Sequence, residues 1–221
     1  MKTKRNFLLP VFLVIITLTI VQNFTFAYIF GNGSGGGYEG GSGDNYAVTG
    51  SINIEMLVVE GAGYFLNAQQ EVMVFLQRVE MTGNNDVNKL ELNTILQGAL
   101  NNMYLASAAY DLLIRTAEVT PYNETVIKKL KSFDYEGYMT EKGMIPFIFN
   151  EVESYLGQGD ITGMYKHIRT KMKDITGVLN LLKEDLTLFK MPPMSRVWQL
   201  NEMCCHTLIF GQYAARVFAA L

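Results

Sequence analysis

Residues 160–189 read DITGMYKHIRTKMKDITGVLNLLKEDLTLF, and this stretch decides the fold. Ile161, Tyr165, Ile168, Met172, Ile175, Leu179, Leu182, Leu186 and Phe189 recur at alternating steps of four and three. A 3.5-residue repeat kept up over this length is the packing seam of a long helix. Lys166, Arg169, Lys173, Asp174, Lys183 and Glu184 fall off the seam, as a solvated face requires. Asp160 stands where an N-cap belongs, just after the break Gly157-Gln158-Gly159.

Working outward, three more seams follow the same rule. Pro192-Pro193 opens a helix whose seam runs Met194, Val197, Asn201, Cys204, Leu208, Gly211, Ala215 and Phe218. Upstream, Leu92, Leu96, Ala99, Met103, Ala106, Tyr110, Leu113 and Ala117 form another, ended by Thr120-Pro121 because the residue before proline is pushed out of the α region. The first comprises Ile54, Val58, Gly61, Phe65, Ala68, Val72, Phe75 and Val79, closed by the turn residues Gly83, Asn84 and Asn85. The expected helices are about 52–82, 87–118, 160–190 and 194–220. At a 1.5 Å rise each is ~40–47 Å long. Helices of matched length bury their stripes together, so the expected fold is all-α, an elongated four-helix bundle of two antiparallel hairpins spanning 51–221. No segment alternates with period two for long enough to argue a sheet.

Between the second and third helices lies an aromatic-rich insertion, 121–159, far longer than the usual bundle connection of 2–8 residues. It holds a short helix from Glu124 to Lys131 capped by Asn123, and a helical turn from Glu151 to Leu156. Seven of the 26 aromatic residues fall between Tyr122 and Tyr155, which makes this segment the candidate contact surface. Tyr135, Tyr138, Phe147, Phe149 and Tyr155 are its candidate binding residues, through aromatic area and phenol hydrogen bonds. The competing readings are burial, as a cap on an open end of the bundle or a crossover along its length, and a lid over an apolar pocket.

Upstream of the helices, Lys2, Lys4 and Arg5 precede the apolar run Phe7–Val21, and Thr25 and Ala27 fit the −3 and −1 positions of a cut before Tyr28. Residues 1–27 therefore read as a cleavable secretory signal. The apolar run of fifteen residues is short for a membrane span of roughly 20, and an uncleaved anchor is the alternative. Residues 28–50 are a glycine-rich leader, a flexible tether by composition. The expected location is periplasmic or extracellular, with no stable membrane span after cleavage.

Composition narrows the function classes. The 221 residues are 49% hydrophobic and 18% charged, too apolar for a disordered chain. The 18 basic residues lose three with the signal and the 21 acidic residues lose none, leaving 15 and 21, a net −6. That balance excludes a nucleic-acid binder, which needs clustered Lys and Arg.

Candidate chemistry is thin. Two hairpins joined by a long crossover resemble the ferritin-like carboxylate proteins in layout, which implies a di-metal site of Glu and Glu-x-x-His. No Glu-x-x-His occurs here, and His167 and His206 are the only histidines. In the cytochromes c′ the last helix of a four-helix bundle carries Cys-x-x-Cys-His; Cys205-His206 stand in that order, but Glu202 occupies the first cysteine's place. Along a helix His206 falls about 200° from the Cys204 seam, which predicts an outward face shared with Glu202. No nucleophile elbow, phosphate loop or zinc-spaced cysteine set appears. The expectation is a non-enzymatic module with no catalytic residue, metal or cofactor, acting on a protein partner or on itself. The rival is a carrier of a small apolar ligand, or of haem held non-covalently by His206 and a methionine.

Overall fold

A computed structural model describes residues 54–82, 86–120, 122–188 and 190–221. The expected signal at 1–27, the leader at 28–50, the turn at 83–85 and Phe189 lie outside the described residues. Among the described residues there are seven helices and no strand. They are α1 (Ile54–Thr82), α2 (Asp86–Val119), α3 (Glu124–Lys131), α4 (Tyr135–Lys142), α5 (Pro146–Leu156), α6 (Ile161–Thr187) and α7 (Met194–Ala219). The chain is all-α.

Each of the four long helices packs on two of the others: α1 on α2, α2 on α6, α6 on α7, and α7 on α1. Side-chain pairs give the directions. A Cβ on Gly61 would meet the Tyr110 ring at 2.8 Å, and one on Gly98 would meet Glu71 at 3.3 Å. With Arg78 Nε 3.1 Å from Glu91 Oε1, these pairs run α1 antiparallel to α2. On the far side, Arg169 Nε donates to Asp111 Oδ1 (2.8 Å) and its Nη2 to Asp111 Oδ2 (3.0 Å), while Lys166 reaches Glu118 (2.6 Å) and Lys183 pairs with Gln97. Thus α6 runs antiparallel to α2. At the other end of α6, Arg196 pairs with Asp185 across the turn into α7.

The seams are what bury. All eight residues of the α2 seam and Ile161 through Leu186 of the α6 seam are buried; the α1 seam is buried from Val58 onward. Gly61 matters for its missing Cβ, because only a bare backbone admits the Tyr110 ring that closely. The Asp160 carboxylate accepts from Gly163 N–H at 2.8 Å and caps α6. Gly159, at φ +74°, makes the left-handed turn before it.

Helix α7 departs from its expected seam. Val197, Leu200, Cys204, Phe210, Ala214 and Val217 are buried, whereas Met194, Leu208, Gly211 and Phe218 are only half-buried. The reason is that burial on α7 goes around most of the helix, taking in Cys205, Thr207, Gln212 and Tyr213 as well. A helix buried on most of its circumference has no single stripe to read.

The insertion is three helices. α3 begins and ends at Glu124 and Lys131, with Asn123 Oδ1 accepting from Thr125 N–H at 2.8 Å. α4 is an additional helix capped by Asp134, whose carboxylate accepts from Gly137 N–H at 3.0 Å. α5 starts at Pro146, earlier than the expected turn at Glu151, with proline at the first helical position where its missing N–H costs nothing.

Candidate functional site

Two regions compete for function: the inner side of the insertion and the exterior of the α1–α2 hairpin.

The insertion's aromatic residues build a second core against α7. Phe149 is fully buried, with its ring 6.1 Å from Tyr135, 6.3 Å from Tyr138 and 6.0 Å from Tyr213. Phe133 lies edge-on to Tyr135 and Tyr138 at 5.0 and 5.1 Å. The Tyr135 phenol is buried and donates to Leu130 O (3.1 Å), and the half-buried Tyr138 phenol donates to Arg216 O (3.2 Å). Burial, then the Glu153 charge, pushes the Tyr135 phenol above its usual range. Ile145 N–H donates to Tyr213 Oη at 2.9 Å, tying the start of α5 to α7. Tyr135 and Phe149 therefore offer no surface to a partner. Phe147 does: it is 67% exposed, stacked at 5.8 Å on His206.

Tyr155 belongs to a polar cluster that the sequence did not disclose. Glu151 of α5 places Oε1 3.0 Å from His167 Nε2 of α6, and Oε2 3.0 Å from His206 Nε2 of α7. Lys171 Nζ lies 4.0 Å from the same Oε1. The Tyr155 phenol meets His167 Nδ1 at 3.1 Å, and the His167 ring packs on Phe210 (5.0 Å) and Tyr155 (5.2 Å). Burial first, then the charges of Glu151 and Asp160, raise the Tyr155 pKa, so the phenol keeps its proton. Because Glu151 can only accept, the neutral His167 ring carries its proton on the Nε2 that faces it and accepts from the phenol at Nδ1. That Nε2 is close to the carboxylate but off the hydrogen-bonding line. The His167 pKa is lowered: burial dominates, the Glu151 charge opposes it, and Lys171 and His206 reinforce it. A neutral His167 at pH 7 follows.

The expected outward face for His206 is corrected here. Its Nε2 turns to Glu151 and its ring lies beneath Phe147, because α5 covers the side of α7 that a free helix would expose to water. Glu202 stays exposed and is not its partner at this distance.

What this cluster can do chemically is limited. The two imidazoles face different oxygens of one carboxylate, and among the described residues no group of three or more His, Cys, Asp or Glu is placed to hold a metal ion. Cys204 and Cys205 are free and buried. Burial pushes the Cys204 thiol up, with a smaller push from Cys205, and raises Cys205 against a hydrogen bond with Gln69. Such thiols are poor nucleophiles. The cluster brings three helices to one point: the Glu151 carboxylate of α5 faces one imidazole on α6 and one on α7.

The exterior of α1 and α2 is different. Among the described residues, thirteen large apolar side chains are exposed, and nine of them lie on these two helices. On α1 they include Met56, Val59, Val74 and Met81; on α2, Leu90, Tyr104, Leu105, Leu112 and Val119. From Leu92 through Tyr110 the chain has nineteen residues with no Asp, Glu, Lys, Arg or His. No described helix is long and apolar enough to cross a membrane. The charge gap at 92–110 is the signal in the sequence that points to this face. No protein-family model, curated protein or solved structure matches this chain.

Proposed function

We propose that the chain is an exported, non-enzymatic four-helix-bundle protein that acts as a protein-binding or assembly module. Residues 1–27 serve as the removed secretory signal, 28–50 as a tether, and the helical part works in the periplasm or outside the cell. The four long helices, each seated on two others, are what a bundle of two antiparallel hairpins needs.

One observation carries the reading: the concentration of exposed apolar side chains on the α1–α2 exterior, with no charged residue of α2 between Leu92 and Tyr110. Scattered apolar residues on a surface need no explanation, but a patch confined to one hairpin points to a contact. The insertion's role in this reading is to cover α6 and α7, with Phe147 and Ile145 as its exposed apolar tip. Inert thiols and imidazoles set against a carboxylate agree with a protein that binds rather than turns over substrate.

Carbene footprinting tests it. Native extract from the source cells is compared with dilute purified protein, and Met56, Leu105 and Leu112 are expected to label several-fold less in the extract. Equal labelling in both overturns the proposal.

A further inference from the structure

The last helix of the insertion is built as an arm between two hinges. Helix α5 lies between Gly143, at φ +59°, and Gly159, at φ +74°, the two positive-φ glycines among the described residues. At both places the chain takes a left-handed step that a Cβ would resist. Between them the arm rests on α7 and α6, with Ile148, Phe149, Val152 and Leu156 buried. Apolar burial of this kind is indifferent to pH. The polar cluster under the arm is not, because it holds both histidines of the chain.

We propose that α5 is an acid-released arm, docked on α6 and α7 while His167 is neutral and freed about Gly143 and Gly159 once that imidazole takes up a second proton.

Hydrogen bonding gives the first reason. Neutral His167 has both ring nitrogens engaged: Nε2–H faces Glu151 Oε1 at 3.0 Å, and Nδ1 accepts from the Tyr155 phenol at 3.1 Å. The added proton has only Nδ1 to occupy. Donor then meets donor, and the Tyr155 hydroxyl has to turn away. Glu151 and Tyr155 both belong to α5, so the disturbed contacts are the ones that join the arm to α6.

Charge gives the second. Glu151 carries one negative charge and faces three basic side chains: His167, His206 of α7 at 3.0 Å and Lys171 of α6 at 4.0 Å. On the other elements, Asp111 and Glu118 of α2 pair with Arg169 and Lys166, and Asp160 caps α6 while its charge acts on Tyr155. A cation on His167, whose side chain is only 15% exposed, is therefore poorly hydrated and has to share its counter-ion. Burial outweighs the attraction of Glu151, so docked His167 holds a proton less readily than a free imidazole.

The direction follows by linkage. Release returns His167 to water and to its ordinary value of 6.5, so the open form binds the proton more readily. Docking is at full strength above that pH and weakens as the pH falls through and below it. Release bares Phe210 and Tyr213 of α7, which are buried against Tyr155 and Phe149 in the docked form. A second apolar surface then appears in acid, independent of the α1–α2 face.

Hydrogen exchange of the purified full chain from about pH 7.5 to about pH 5, corrected for the chemical exchange rate, tests this. The opening equilibrium of the α5 amides is expected to rise several-fold across that range, while amides in the middle of α2 stay unchanged. Nuclear magnetic resonance of the His167 ring, assigned with His206→Gln, should show it titrating below 6.5. His167→Gln, shown to be folded by circular dichroism, should exchange α5 as slowly as the native chain at neutral pH and lose the acid response. An α5 that opens equally at every pH overturns the proposal, as does a His167 that titrates at or above its ordinary value. So does an acid response that survives His167→Gln, or an α2 that opens in step with α5, which would be unfolding of the whole bundle.

Discussion

The α1–α2 pair and the α6–α7 pair bury their inner seams by the same physics and present opposite exteriors. On the second pair, α5 lies across both helices, Phe149 fills the space against Tyr213, and Glu151 reaches an imidazole on each. Charged side chains such as Lys166, Lys173 and Glu184 take up most of the remaining outer face of α6, with Leu181 the one large apolar side chain exposed there. On the first pair, leucine, methionine and valine stand in the open. A chain that spends thirty-odd residues covering one hairpin leaves the other bare for a different occupant. That contrast is the basis for placing the proposed contact face on α1–α2.

The contrast can be broken or sharpened by mutation. The largest effect is expected for Phe149→Ala, which strips the cover from the second pair. A fully buried phenylalanine costs about 3–5 kcal/mol on truncation, read as a lower denaturant midpoint and earlier exchange of α5 amides. Gly61→Ala strikes the first pair from inside: a Cβ 2.8 Å from the Tyr110 ring forces α1 and α2 apart, for about 1–3 kcal/mol of lost stability by thermal melting.

A pH effect belongs to the second pair alone. The folded His167 pKa lies below its ordinary value of 6.5, so the unfolded chain binds the proton more readily. Stability is therefore complete above pH 6.5 and falls as the pH drops through and below that value. His167→Gln should flatten this slope in urea titrations at a series of pH values, while Leu105→Glu should leave it intact. Asp111→Asn, which removes one partner of the half-exposed Arg169 pair between the hairpins, should cost about 0.5–1 kcal/mol, and less in high salt. Phe147→Ser, at a surface site, is expected to change stability by under ~0.5 kcal/mol. A large loss there would mean that the insertion's tip is structural after all.

Much of the fold was legible because three helices are amphipathic in the simple sense. Leu92 through Ala117 and Ile161 through Leu186 could be read as seams and are buried as seams. Asp160 and Asn123 could be read as caps from residue type and position. Helix α7 resisted, because periodicity reports one buried face and α7 is buried around most of its circumference. The same omission hid the His167–Glu151–His206 cluster: nothing local says that Glu151 and His206, 55 positions apart, share one site. Among the candidate contact residues, aromatic character alone did not separate the buried Tyr135 and Phe149 from the exposed Phe147. The exposed face of α2 was present in the missing charges between Leu92 and Tyr110, but it becomes visible only once the inner seam has been assigned.

Cys204 and Cys205 are adjacent, reduced and sealed beneath their neighbours. Consecutive side chains on a helix point about 100° apart, so the helical form cannot join them to each other. If the chain is exported as proposed, it meets an oxidising compartment before it has folded, and timing is then decisive. Before α7 is covered both sulfurs are open to oxidants and to sulfurs of other chains; afterwards they are out of reach. Rapid closure around that helix is itself the protection against being trapped in a mispaired, cross-linked form.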